Sequence, residues 1–193
     1  MLDLEAKTDA EVVVLALKER DAFGALIERY EAKLDRYVRR LGVGRKEDRQ
    51  DILQDIFIKV YRNLHAFDLT LSFSSWIYRI AHNETMSWFR KRKARPDHTL
   101  VDDGEEALSF VSDVHTADES ALLREDQDVV RRALSELPQK YRDVLLLRFF
   151  EEKSYEEISD ILHIPIGTVA TLVFRAKDRL RHLLEKHHVV KIV

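Results

Sequence analysis

The chain has 193 residues, with 32 Lys and Arg against 35 Asp and Glu, no Cys, 5 Gly and 3 Pro. The lack of Cys excludes disulfides, thiolate nucleophiles and Cys-based zinc sites. Few turn formers beside abundant Leu, Glu, Lys, Arg and Ala exclude a large sheet and point to an all-α protein.

In chain order, Thr8-Asp9-Ala10-Glu11 has the spacing of a capping box and predicts a short first helix. The early apolar run from Val12 to Leu17 is far below the roughly 18 residues that span a bilayer, and Met1-Leu2-Asp3-Leu4-Glu5 has no basic leader region. No membrane insertion is expected, and a cytoplasmic location follows. From Asp21, the apolar positions Phe23, Leu26, Ile27, Tyr30, Leu34, Val38 and Leu41 step by three and four to predict a second helix, which Gly42 and Gly44 stop. A third runs from about Lys46 to Asn63 with Ile52, Leu53, Ile56, Phe57 and Val60 inward. After a loop over His65 to Phe73, a fourth begins near Ser74 and is ended by Pro96. Residues 1–95 thus form one small helical bundle.

Residues 96–120 show no sustained period and read as a flexible acidic linker. Between Thr99 and Asp128 there are ten acids and a single cation, Arg124, a local charge of −9, so that with an overall charge of −3 the rest of the chain carries +6. Helices resume over residues 121–193, first around Leu122 to Leu137, then, after Pro138, from Gln139 to Phe150. Ser154-Tyr155-Glu156-Glu157 is a second capping-box spacing, opening a helix from Tyr155 to Leu162. His163-Ile164 separates it from a last helix that begins at Pro165, a residue suited to the first helical position. Ile166, Val169, Val173, Ala176, Leu180 and Leu183 form its inner stripe. The last two helices have the layout of a helix-turn-helix, whose second helix lies in the DNA major groove, although the same pattern also suits a plain helical hairpin.

Catalytic chemistry has no support in these residues. There is no Gly-rich phosphate loop and no metal-binding His pair on a helix, and no cofactor or metal is expected. Nucleic-acid binding is better founded. Between Trp76 and Arg95 stand Arg79, Arg90, Lys91, Arg92, Lys93 and Arg95 against the single acid Glu84, interleaved with Trp76, Tyr78, Trp88 and Phe89. Cations release counterions from phosphates, and aromatic faces stack on unpaired bases. Trp76 is assigned to the core.

Three stretches carry a family resemblance. Residues 48–62, DRQDILQDIFIKVYR, are similar to the polymerase-binding helix of bacterial sigma factors of the extracytoplasmic-function (ECF) type. Residues 73–84, FSSWIYRIAHNE, resemble their promoter-melting helix. Leu137-Pro138, Ser154-Tyr155-Glu156-Glu157-Ile158, Gly167-Thr168-Val169 and Phe174-Arg175-Ala176 resemble their helix-turn-helix signature. The resemblance implies two small helical domains on a linker. It also implies a non-enzymatic polymerase subunit that binds core RNA polymerase and promoter DNA, single-stranded and duplex, and has an anti-sigma factor as a further partner.

Residue by residue, the resemblance places core polymerase on Asp51, Gln54, Asp55, Ile58, Lys59 and Arg62. It places the minus-ten element, including a base flipped into the loop before the fourth helix, on Phe67, Asp68, Ser72, Arg79, Asn83, Arg90 and Lys91. For the minus-thirty-five element it points to Thr168, Thr171, Leu172 and Arg175. The acidic linker would thread the basic cleft of the polymerase, and closure of the two domains on each other would hide DNA-binding surfaces.

One departure stands out. Where the family reads Gly-Thr-Val-Arg-Ser-Arg, this chain has Gly167-Thr168-Val169-Ala170-Thr171-Leu172, so two groove-facing cations are missing. Each lost bidentate contact to guanine removes about 1–3 kcal/mol of discrimination. A non-standard or weakly read upstream element is therefore expected, with Lys177, Arg179 and Arg181 adding backbone contacts at most. An exposed Leu172 would need an apolar neighbour such as a thymine methyl. Two alternatives remain: a sigma-like decoy that sequesters an anti-sigma factor, and a free-standing helix-turn-helix regulator.

Overall fold

The computed structural model describes Leu4 and residues 6–94, 129–130 and 132–187. The acidic linker of residues 96–120 lies outside the described residues. Within them every regular element is helical.

The first helix, α1 (Asp9–Ala16), starts at the expected capping box, in which Thr8 accepts from the Glu11 amide and Glu11 accepts from the Thr8 amide. A 3-10 turn (Arg20–Ala22) leads into α2 (Phe23–Arg40). Gly42, at φ 116°, takes the left-handed turn that closes α2, and the amides of Gly42 and Val43 return to the carbonyls of Arg39 and Val38. The next helix, α3 (Lys46–Asn63), has the predicted bounds. Its first turn is fixed by Arg49, which donates to Asp35 at 2.8 Å and to the Gly44 carbonyl at 2.6 Å. The guanidinium thereby satisfies an inter-helix carbonyl that would otherwise be orphaned.

The fourth helix, α4 (Phe73–Lys93), starts one residue earlier than predicted because Ser72 supplies the cap, accepting from the Ser75 amide at 3.2 Å. It closes at Ala94, before Pro96 is reached. Its last turn is entirely basic (Arg90, Lys91, Arg92, Lys93), which complements the negative end of the helix dipole.

The second module consists of α5 (132–136), α6 (Gln139–Leu145), which continues as a π-helical stretch (Leu146–Phe150), α7 (Tyr155–Leu162) and α8 (Ile166–Lys186). The expected single helix from Gln139 to Phe150 is thus wound more loosely in its second half. Pro165 sits just outside α8 as its cap residue, one position before the predicted role. The α7 cap is reciprocal: Ser154 accepts from the Glu157 amide at 3.1 Å and Glu157 accepts from the Ser154 amide at 2.9 Å. Ser154→Ala is expected to cost about 1 kcal/mol, measured as a fall in unfolding free energy in urea; an unchanged midpoint would show that the turn is held by other contacts.

Leu26, Leu34, Tyr37, Ile56 and Ile77 are fully buried in the first module, and Leu134, Leu146, Leu147, Ile158 and Ile161 in the second. The two sets belong to one continuous apolar cluster, because α4 packs on α7 as well as on α3.

Candidate polymerase and nucleic-acid interfaces

Helix α3 buries Ile52, Leu53, Ile56, Phe57 and Val60 and leaves Asp51, Gln54, Asp55, Ile58, Lys59 and Arg62 exposed. The helical period puts the latter on one outward surface. Ile58 and Tyr61 are 41% and 40% exposed although apolar and aromatic. Beside them a groove of about 390 Å³ opens between α2 and α3, floored by Phe23, Ile27 and Phe57 and rimmed by Gln54, Ile58, Tyr61 and Arg62. Tyr61 meets Phe23 edge-on at 5.1 Å. Lys59 pairs with Glu84 of α4, not with Asp55 on its own helix, and so ties α3 to α4. Neither Asp51 nor Asp55 makes an ion pair with another described residue.

The loop before α4 is a tight turn. Asp68 accepts from the Thr70 amide at 2.9 Å and hydroxyl at 2.7 Å, which holds its carboxyl below the usual range, and the Leu71 amide donates to the Asp68 carbonyl. This turn pushes Leu69 and Leu71 into solvent. Phe67 departs from expectation: it is buried, 4.9 Å from Trp76 and 5.6 Å edge-on from Phe73, and cannot present its face to a base. An aromatic that starts a turn is drawn inward when the helix after it supplies partners. Trp76 packs on the core as expected.

On α4, Asn83, Arg90 and Lys91 are exposed and Arg79 is half-buried. Ser87 accepts from Arg90 at 3.0 Å and donates to the main-chain carbonyl of Asn83 at 2.8 Å. Trp88 and Phe89 pack edge to face at 5.1 Å, with Arg92 over Trp88. The opposite face of α4, with Ser74, Tyr78, His82 and Thr85, is turned to the protein interior.

Helices α7 and α8 meet at 102°, within the range of a helix-turn-helix. The reversal uses His163 at φ 56°, an unusual left-handed position for a residue other than glycine, and is locked by the Ser159 hydroxyl on the Ile164 carbonyl at 2.6 Å. Thr168, Thr171 and Arg175 lie exposed on the outward stripe, with the Thr171 hydroxyl donating to the Gly167 carbonyl. Leu172 is not exposed as expected but half-buried against the core, so it needs no apolar contact from DNA. At the far end of α8, His187 and Lys186 both reach Glu136 and moor the helix to α5.

Among the described residues no cluster of three or more His, Asp or Glu can hold a metal ion, and no single helix is long and apolar enough to cross a membrane.

The family model for Sigma-70 region 2 matches residues 26–95, and that for Sigma-70 region 4 matches residues 127–180. An ECF RNA polymerase sigma factor, SigW of Bacillus subtilis strain 168, is 35% identical over 172 residues, covering 86% of this chain and 90% of the relative. The chain belongs to the ECF sigma factors. The ECF RNA polymerase sigma-E factor of Escherichia coli K12 is 33% identical over 182 residues, covering 91% of this sigma factor and 94% of the relative.

The fold is also that of two solved structures. CnrH, in complex with the cytosolic domain of CnrY, superposes with a TM-score of 0.69 at 22% identity, over 93% of this chain and 99% of that one. RpoE of Bartonella quintana, co-crystallised with the anti-sigma factor NepR, gives 0.57 at 24% identity, over 86% and 98%.

Sequence reasoning missed the groove between α2 and α3. The signal was present, since Ile58 and Tyr61 fall off the inward stripe of α3 and stay apolar. It also missed the contacts between the modules, such as Arg40 with Glu151, Tyr78 with Glu151 and Ser74 with Lys153.

Proposed function

We propose that this sigma factor binds core polymerase through α3, reads and melts the minus-ten element with α4 and the loop before it, and reads the minus-thirty-five element with α8. It acts as a binding subunit in the cytoplasm and performs no bond chemistry. The chain is divided into a polymerase-binding and melting domain (1–95), an acidic linker (96–120) and a helix-turn-helix domain (121–193).

The observation that carries the reading is the separation of surfaces. Asp51, Gln54, Asp55, Ile58 and Arg62 stand beside an apolar groove on α3, while Asn83, Arg90 and Lys91 stand exposed on α4. A protein partner helix suits the first, because it offers apolar anchoring with the exposed carboxylates of Asp51 and Asp55 elsewhere on the same helix to accept from arginine. A polyanion suits the second.

For the minus-ten element, Asp68, Ser72, Arg79, Asn83, Arg90 and Lys91 remain as contacts. Phe67 acts from beneath by bracing the loop. For the minus-thirty-five element, Thr168, Thr171 and Arg175 remain, and Leu172 is assigned to packing. An anti-sigma factor is part of the same reading, by analogy with the Bartonella sigma factor solved with NepR.

The deciding experiment is selection of random promoter DNA by reconstituted holoenzyme followed by run-off transcription. A sharp downstream motif with a weaker upstream one is the expected result, since Ala170 and Leu172 supply no donors to guanine. Absence of any enriched motif or specific transcript identifies a decoy. Asn83→Ala is expected to flatten base preference at one downstream position, costing about 1–3 kcal/mol there, while Lys91→Ala weakens all sequences alike.

A further inference from the structure

Helix α8 opens without charge. Its first nine residues, Ile166 to Phe174, carry no ionisable side chain, and Arg175 is the first cation of the helix. The inward stripe is Val169, Val173 and Ala176, all buried. Opposite it, at steps of four and three, stand Gly167, Thr171 and Phe174, flanked by Ala170 on one side and by Thr168 and Arg175 on the other; all six are exposed. Phe174 is 76% exposed, more than any other large apolar side chain among the described residues.

Packing within the chain does not account for this ridge. Nothing lies within 4 Å of where a Cβ on Gly167 would stand, so the ridge is flat at its start. The Thr171 hydroxyl donates to the Gly167 carbonyl at 2.9 Å, so the proton it would give a guanine is spent and its methyl group is what remains for a base. Arg175 leaves at most one contact to guanine. Asp178, the next residue on the ridge, is an anion paired with Arg181 and ends the stretch that a duplex can approach.

The major groove offers such a surface one specific group. Ala, the Thr methyl and Phe recognise the C5 methyl of thymine, whereas guanine asks for an Arg or Lys and adenine for a side-chain amide. Residues 170 to 174 advance about 6 Å along the helix, the length of about two base-pair steps at 3.4 Å. The exposed cations that follow at once, Arg175, Lys177 and Arg179, favour a polyanion over an apolar protein partner.

We propose that Ala170, Thr171 and Phe174 read thymine C5 methyl groups, so that the upstream element of this sigma factor is two or three consecutive A·T pairs, with thymine toward α8, in place of guanines. This rests on the reading of α8 as the minus-thirty-five helix and gives that reading a base identity. Discrimination comes from apolar contact alone, so each methyl adds a small factor and the element is read by their product.

The test presents reconstituted holoenzyme with DNA randomised upstream of the downstream motif found by the first selection. Enrichment of thymine at two or three adjacent positions is expected. The enriched DNA is then made with uracil for thymine in the upstream element only, which removes the C5 methyl and keeps the pairing. Each uracil is expected to raise the dissociation constant about fourfold, the worth of one buried methyl group, and two uracils about fifteenfold. Phe174→Ala, at so exposed a position, should fold as the parent does and bind the thymine promoter about fourfold more weakly. It should also make one of the uracils silent, so that thymine and uracil at that pair bind equally.

Two or more guanines in the upstream motif, no upstream motif with a transcribing holoenzyme, or equal binding of thymine and uracil promoters by the parent overturns the methyl reading. So does a Phe174→Ala effect, or lack of one, that is the same on both promoters; an equal loss assigns that side chain to a protein surface instead. A holoenzyme that gives no specific transcript overturns the sigma reading, and the methyl reading falls with it.

Discussion

Asp51→Arg combined with Asp55→Arg is expected to abolish retention of the protein on core polymerase and to lower run-off transcription at least about 100-fold, with no loss of fold. The two carboxylates stand one turn apart on the exposed side of α3, and neither has an ion-pair partner within the described chain. Substitution at such positions ordinarily changes stability by no more than about 0.5 kcal/mol, so thermal unfolding should be little altered. Truncating or reversing one partner of a buried interfacial charge pair costs about 2–5 kcal/mol. Two reversals beside the groove formed by Phe23, Phe57 and Ile58 are therefore enough for the stated loss, since 1.4 kcal/mol is a factor of ten. Glu31→Arg, on the exposed side of α2, serves as a charge control and should leave transcription unchanged. If the double variant transcribes as the parent does, α3 is not the polymerase face.

The second large effect concerns pH. His82 of α4 and Asp143 of α6 face each other across the junction between the modules, with His82 Nε2 3.9 Å from Asp143 Oδ2 and Tyr37 Oη 3.2 Å from His82 Nδ1. Burial pushes Asp143 up to about 7 and pulls His82 down to about 4. Arg142 opposes the shift of Asp143 without cancelling it.

The two signs are opposite. For Asp143, the folded state binds a proton that the unfolded state has lost above its ordinary value of 3.8, so stability is full below that value and falls as pH rises toward 7. For His82, the folded state lacks a proton that the unfolded state holds below 6.5, so stability is full above that value and falls as pH drops toward 4. Between about 4 and 6.5 the pair as a whole binds one proton in both states, and its contribution is nearly independent of pH.

Removing either partner should expose the other. Asp143→Asn is expected to make stability fall steeply on acidification from pH 6.5 to 4. His82→Gln is expected to make it fall on raising pH from 4 to 7. At 1.36 kcal/mol per pH unit, full expression of the shift amounts to about 3 kcal/mol for His82 and about 4 kcal/mol for Asp143. Urea unfolding across this range measures it, and parallel pH profiles for the parent and both variants would show that the two groups are not linked through burial. The Asp143 Oδ1 atom is buried without a hydrogen-bond partner, as is Arg40 Nε.

The helices were legible because their signals are local. The bounds of α3 and α7 and both capping boxes follow from residues within one or two turns of each other, where apolar period and side-chain–amide geometry act without help from the rest of the chain. Candidate surfaces were legible to the extent that a polar residue on an amphipathic helix faces out. That reasoning succeeds for Asp51, Asn83 and Arg175. It does not extend to Phe67, buried against Phe73 and Trp76 of the helix that follows, or to Leu172, half-buried against the core. Lys59 illustrates the same limit, since its nearest acid in sequence and its nearest acid in space are different residues.

Sequence alone therefore determined the helical character, the order of elements and the family, all of which depend on near-neighbour patterning and on motifs read in line. The tertiary structure decided which of the marked side chains are free to meet a partner and how the two modules are held against each other. The pairing of Arg40 with Glu151 spans more than a hundred positions. Both residues would pass as ordinary solvated charges until the packing of α4 against α7 removes the water around them, and that desolvation is a property of the assembled core that no local stretch of chain encodes.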